Sequence, residues 1–208
     1  MTKIVGAILA GGKSSRFGEQ NKALAQLGGQ TLIEHVVGRI SPQVSTIVFS
    51  GDAYDLPGSL PSSGVETSPQ WVSDVERGQR GPLIAVLSCL KYLNKTGSEW
   101  LFTSACDTPF LPGDIVEKLM LAAEQKPSKI AVAHDDNRLQ PANALWHRDS
   151  LNTLQMAVGA GVQGFHQFLD TQAYAIAEWS EGGNHFININ TQVDLEKAEK
   201  LLLAKHSS

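Results

Sequence analysis

Residues 4–9, Ile-Val-Gly-Ala-Ile-Leu, form an apolar run that stops at Gly11-Gly12. Such a run, rich in branched side chains, reads as a buried strand. Two adjacent glycines at its carboxyl end let the backbone come close to a ligand, because no side chain stands in the way. The bare N–H groups there can face an anion. Lys13, Arg16 and Lys22 follow within a few residues and supply positive charge. A triphosphate needs this combination of bare donors and charge compensation.

Other readings of the same residues are weaker. Gly12-Lys13-Ser14 resembles the end of a P-loop, but that pattern needs a glycine where Ala7 stands. A dinucleotide G-x-G-x-x-G fails because Gly11 and Gly12 are adjacent and no third glycine has the right spacing. A plain glycine-rich turn would suffice for Gly11-Gly12 alone. Arg16, Gly18 and Lys22 favour a phosphate site.

Strand and helix patterns alternate along the chain. A helix is expected over Thr31–Ile40, a strand over Val44–Ser50 and a short strand at Trp71-Val72. Gly81-Pro82 opens a helix through Leu93, since proline suits a first helical turn. Trp100–Ala105 is the clearest central strand. A helix over Ile115–Gln125 and a strand over Lys129–His134 follow. Asn143–His147 reads as a strand, Ser150–Ala157 as a helix. A last helix runs from Thr191, its N-cap, with Asp194 in the first turn, to about Lys205. The alternation implies a mainly parallel sheet with helices on both faces, a three-layer α/β/α Rossmann-like fold. Ligands of such sheets sit outside the carboxyl ends of the strands. The Gly11-Gly12 turn, Ser50, Asp74 and Asp107 all fall at such ends.

Composition narrows the class further. With 208 residues and 42% hydrophobic residues, one domain spanning 1–208 is expected. A net charge of −4 and a pI near 5.8 disfavour nucleic acid as a partner. Cys89 and Cys106 form no C-x-x-C pair, and the six histidines show no metal-ligand spacing. No apolar run approaches the roughly 20 residues of a membrane span, and no signal peptide is visible. A cytoplasmic protein with reduced thiols is expected.

The pattern L-A-G-G-x-S-x-R-x-G-x-x-x-K-A-L, from Leu9 to Leu24, resembles the opening of nucleoside triphosphate-dependent nucleotidyltransferases, and more closely of molybdenum cofactor guanylyltransferases. The resemblance runs from Val5 to about Leu201. It implies that Leu9, Ala10, Gly11 and Gly12 line the nucleotide, with Lys22 against the triphosphate and Arg16 on its outer phosphates. Asp107, in Ser104-Ala-Cys-Asp-Thr-Pro109, matches the family's magnesium-binding aspartate. On its residues alone, this Asp-x-Pro is an Asx-turn or a helix cap. Asp74 aligns with an acidic residue at the nucleotide site that could accept from guanine N1–H and the 2-amino group; a surface carboxylate is the plainer reading. Gly81-Pro82-Leu83 resembles a G-P-L turn set against the nucleoside.

Gln140-Pro141-Ala-Asn-Ala-Leu145 resembles the family's acceptor-side segment, and Asn188 and Asn190 its Asn-x-Asn-Thr signature. A short strand would put these two amides on one face, ready for a pterin or its phosphate; strand-end and capping chemistry is the alternative. Departures from the pattern are Asn21 before Lys22, Phe17 after Arg16, and Ser50 where asparagine is expected.

The resemblance implies that GMP passes from GTP to molybdenum-bound molybdopterin with magnesium present. It divides the chain into a nucleotide half, about 1–110, and an acceptor half, about 111–208. It also implies transient contact with molybdenum insertion proteins and molybdoenzyme chaperones. Three other activities compete: cytidylyl transfer, carriage of the finished cofactor without catalysis, and nucleotide binding as a regulatory module.

Overall fold

β1 (Ile4–Leu9) lies inside a seven-stranded sheet because it has no polar face to offer water. Its side chains alternate: Ile4 and Ile8 enter one apolar cluster, Val5 and Ala7 the other. The computed structural model describes residues 2–10, 21–51, 70–74, 81–135, 138–179 and 184–206.

After β1 come a 3-10 turn at Lys22–Leu24 and a short hairpin, β2 (Gln26–Leu27) with β3 (Gln30–Thr31). α1 (Leu32–Ile40) leads into β4 (Thr46–Ser50). β5 (Gln70–Val72), α2 (Pro82–Leu93), β6 (Trp100–Ala105) and α3 (Ile115–Gln125) follow. The second part holds β7 (Ile130–Asp135), β8 (Arg138–His147), α4 (Leu151–Gly159), α5 (Phe165–Leu169), β9 (Ala175–Trp179) and α6 (Gln192–His206).

Strand order is β5-β4-β1-β6-β8-β7-β9. β5, β4, β1 and β6 pair in parallel, and β7 pairs in parallel with β9. β8 alone runs against the others, antiparallel to both β6 and β7. The expected mainly parallel sheet is therefore present. α1 and α3 supply Ile33, Val36, Ile115 and Leu119 to the core on one face, around Phe102 and Leu145. α2, α4 and α5 supply Leu87, Leu90, Leu154 and Phe168 to the other, around the buried Trp146. The Trp146 indole N–H donates to Thr103 Oγ1 at 3.0 Å, so that large ring is buried without losing its one hydrogen bond.

A third, smaller core joins distant segments. Leu27, Leu32, Phe110, Ile189, Leu195 and Ala198 pack together, so the β2–β3 hairpin, the chain after β6 and α6 are held as one. Gly28 (φ +57°) turns the hairpin, and a Cβ there would meet Leu202 of α6 at 2.3 Å.

Strands over 100–105 and helices over 115–125 stand where expected. Three elements were not anticipated: the β2–β3 hairpin, α5 and β9. The hairpin and α5 are too short to carry a clear period. β9 does alternate, with Ala175, Ala177 and Trp179 buried and Ile176 and Glu178 exposed. The segment around Asn188 and Asn190 differs from expectation: it belongs to no strand. Its Ile189 N–H is taken by Asp107 O at 3.0 Å rather than by a ladder partner.

α1 starts as Thr31-x-x-Glu34 dictates. Thr31 Oγ1 accepts from the Glu34 N–H at 3.3 Å, and the Thr31 N–H donates back to Glu34 Oε2 at 2.6 Å. This capping box satisfies two donors that the first turn cannot. Thr31→Ala is expected to lower stability by about 1 kcal/mol, read as a shifted urea midpoint with an unchanged slope.

Candidate active site at the carboxyl ends of the strands

Parallel pairing sets the site. Leu9 is in register with Ser50 on one side and Ala105 on the other, and Ser50 with Val72. The ends of β1, β4, β5 and β6 thus share one rung of the sheet. The Ala10 N–H donates to Ser50 O at 3.1 Å, and the Gly51 N–H to Val72 O at 3.2 Å, carrying the rung one residue further. Gly11, Gly12 and Arg16, together with Lys13 and Phe17, lie outside the described residues.

Lys22 and Asp107 meet here, although 85 positions separate them. The lysine Nζ donates to Asp107 Oδ2, and their side chains are only 13% and 15% exposed. Lys22 Nζ also donates to Asn190 Oδ1 at 2.5 Å. Asn21 sets the direction of the lysine: its Oδ1 accepts from the Ala23 N–H at 3.0 Å and caps the 3-10 turn. Asn21 is therefore a capping residue, a role an amide oxygen fills as well as a carboxylate. Asp107 Oδ1 is buried with no partner among the described residues. Asp107 caps no helix, since α3 begins only after Asp114. The turn beside it is closed by Thr108, whose Oγ1 donates to Ala105 O at 3.1 Å.

Asn190 serves two purposes. Its backbone N–H donates to Asp194 Oδ2 at 3.1 Å as part of the α6 cap, while its side chain reaches Lys22. Thr191 and Asp194 complete that cap: the Thr191 N–H and Oγ1 both donate to Asp194 Oδ2, and Thr191 Oγ1 accepts from the Asp194 N–H. The Thr191 hydroxyl, more than any other group, holds the Asp194 carboxyl below its usual range. Asn188 is exposed on the same segment.

The nucleoside-side candidates surround β4 and α2. Ser50 is buried, and its Oγ meets no oxygen or nitrogen partner among the described residues. It lies against the Cys89 thiol, which burial first and the Asp74 charge second push up to about 12, with Ser50 drawing it back. Asp74 is exposed just beyond β5. Gly81 (φ +128°) precedes α2, and a Cβ there would stand 2.8 Å from Gln163 O in the loop between α4 and α5. Only glycine allows that approach and that φ.

Pro141 is half-buried in β8, the strand beside β6. Desolvation, then the Asp107 charge, push the Cys106 thiol up to about 12, which disfavours the thiolate a nucleophile needs. Among the described residues no cluster of three or more His, Cys, Asp or Glu gathers, and no helix is long and apolar enough to cross a membrane.

Residues 6–176 match the MobA-like NTP transferase domain. The chain belongs to that family. It is 33% identical over 196 residues to the molybdenum cofactor guanylyltransferase of Shewanella putrefaciens, covering 94% of each chain. It is 32% identical over 194 residues to that of Photobacterium profundum, covering 91% of this chain and 92% of the other. The fold matches the crystal structure of molybdopterin-guanine dinucleotide biosynthesis protein A from Archaeoglobus fulgidus, with a TM-score of 0.76, 24% identity, and 96% and 99% coverage. The chain is thus a nucleotidyltransferase of the MobA-like family. Ser104, Asn143 and Ile189 are site-supporting residues that the sequence reading did not single out. The signal for the first two was a polar residue followed or preceded by apolar ones within a strand.

Lys22→Met strands a largely buried carboxylate, and is expected to cost about 2 kcal/mol in denaturant unfolding. Asp194 gives a pH signature. Its folded pKa lies below the unfolded one, so its contribution is full above the unfolded value and lost as pH falls through the folded one. The Tm gap between the wild type and Asp194→Ala should stay constant near neutrality and narrow below the ordinary carboxylate range.

Proposed function

We propose that the protein transfers GMP from GTP to molybdenum-bound molybdopterin, releasing pyrophosphate. The observation that carries this reading is the Lys22–Asp107 pair at the shared strand ends, in a chain 33% identical to a named molybdenum cofactor guanylyltransferase. The terminal phosphate oxygen of the pterin attacks the α-phosphorus of GTP. A new P–O bond forms, the α–β bridging bond breaks, and its electron pair leaves with pyrophosphate. The acceptor brings its own anionic oxygen, so no side-chain nucleophile is required. The raised thiol of Cys106 agrees with that.

Lys22 neutralises charge that grows on the α-phosphate and bridging oxygens. Arg16 is assigned the outer phosphates, with Gly11 and Gly12 giving backbone N–H groups. Leu9, Ala10, Ser50, Asp74 and Gly81 form the nucleoside side. Pro141, Asn188 and Asn190 form the acceptor side, so residues up to about 110 serve the nucleotide and those after it the acceptor.

Asp107 fits a magnesium ion. Its Oδ1 is buried and has no partner among the described residues, and a single carboxylate oxygen suits a metal whose remaining ligands are phosphate oxygens and water. When bound, the ion supplies charge compensation on those oxygens and orients them. The free thiols of Cys89 and Cys106 agree with a reducing cytoplasm.

Pyrophosphate release should require GTP, magnesium and molybdenum-loaded molybdopterin together. Asp107→Asn should lower turnover at least about a hundredfold, as loss of a charge-stabilising group does. Release with CTP but not GTP would instead make the protein a cytidylyltransferase, and unchanged turnover in Asp107→Asn would remove the metal assignment.

A further inference from the structure

β8 lies between β6 and β7, where proline is out of place because it has no N–H for a ladder. The chain solves this with a bulge. Pairing with β7 jumps from Val132↔Ala144 to Ala133↔Gln140, which leaves Pro141, Ala142 and Asn143 without β7 partners. On the other side, the ladder to β6 ends at Thr103↔Ala144. Asn143 is therefore released from both ladders, yet it is only 1% exposed.

Its side chain turns to β6. Ser104 Oγ donates to Asn143 Oδ1 at 2.9 Å, and Ser104 is itself wholly buried. Ser104 Oγ also lies 3.4 Å from Thr108 Oγ1, the hydroxyl that closes the turn onto Ala105 O. Asp107 sits inside that turn. Its backbone carbonyl is held by the Ile189 N–H, so the turn is fixed from two sides.

The next pair on the same face, Phe102 opposite Leu145, is apolar and buried. An apolar pair would fill the Ser104–Asn143 space without desolvating two polar groups. A hydrogen bond adds direction, which packing alone does not. We propose that Asn143 is a positioning residue for Asp107, acting through Ser104 and the Ala105–Thr108 turn to hold the carboxylate where it receives a divalent cation. This inference rests on the metal role proposed for Asp107. It also links the acceptor-side strand, through Ser104, to the metal-side carboxylate.

The test is Mn²⁺ binding by electron paramagnetic resonance titration of the intact protein with GTP present, since its phosphates complete the ion's ligand set, with Tm measured on the same samples. The variants are Ser104→Ala, Asn143→Leu, the double variant and Asp107→Asn. Wild type should bind one ion that Asp107→Asn does not. Each single variant should bind about tenfold more weakly, the usual effect of losing a supporting hydrogen bond behind a metal ligand. In the double variant, which replaces both polar partners, Tm should recover while Mn²⁺ affinity stays low. Affinity that returns with Tm would show that the pair is only structural, and overturn the proposal. So would affinity equal to wild type in both single variants, of which Ser104→Ala is the milder test of folding. No Asp107-dependent ion in the wild type would instead remove the metal role itself, and the positioning role with it.

Discussion

Parallel pairing of β1 with both β4 and β6 is the constraint from which the site follows. Parallel neighbours must be joined by crossovers, so their carboxyl ends all emerge on one side. Here the register is close enough that Leu9, Ser50, Val72 and Ala105 occupy one rung. Any loop that leaves the rung starts within reach of the others. The chain leaving β1 and an aspartate two residues past β6 then start from the same edge of the sheet.

The rung does not explain how Lys22 stays at Asp107. Lys22 arrives through the β2–β3 hairpin region, and Asn190 from a segment 168 positions away. Their common anchor is the small core of Leu27, Phe110, Ile189 and Leu195. Ile189 plugs this core while its N–H binds Asp107 O, so the neighbouring Asn190 amide faces Lys22. Burial of apolar side chains thus sets the address of polar ones. The gain from apolar contact offsets the entropy of fixing a long lysine side chain and the partial desolvation of an ion pair. A positive and a negative group held ready beside one another suit a polyanionic substrate that arrives with a divalent cation.

Polar groups inside the sheet are used sparingly and with partners. Trp146 and Thr103 satisfy each other on one face, and Ser104 and Asn143 on the other. Ser50, beside the weakly polar Cys89 thiol, and the Trp179 indole N–H are exceptions among the described residues. These groups were hard to weigh from sequence. A polar residue within an apolar strand marks a cost, but its partner lies on another strand.

The sequence by itself determined the strands of the nucleotide side, the helices between them, the glycine exit after β1 and the candidacy of Lys22 and Asp107. Those features are local: apolar period, glycine and proline chemistry, and motif spacing all act within a few residues. It also determined the α6 start, because Thr191 and Asp194 form their cap within a single turn. Tertiary structure alone decided that Asn190 would spend its backbone on that cap and its side chain on Lys22. It decided that the Asn188–Asn190 segment would dock on Asp107 rather than join a strand, and that Pro141 would be absorbed by a bulge that brings Asn143 to Ser104. Each of these outcomes depends on which groups lie across a packed interface. Chain order does not state that; only the closing of the three cores does.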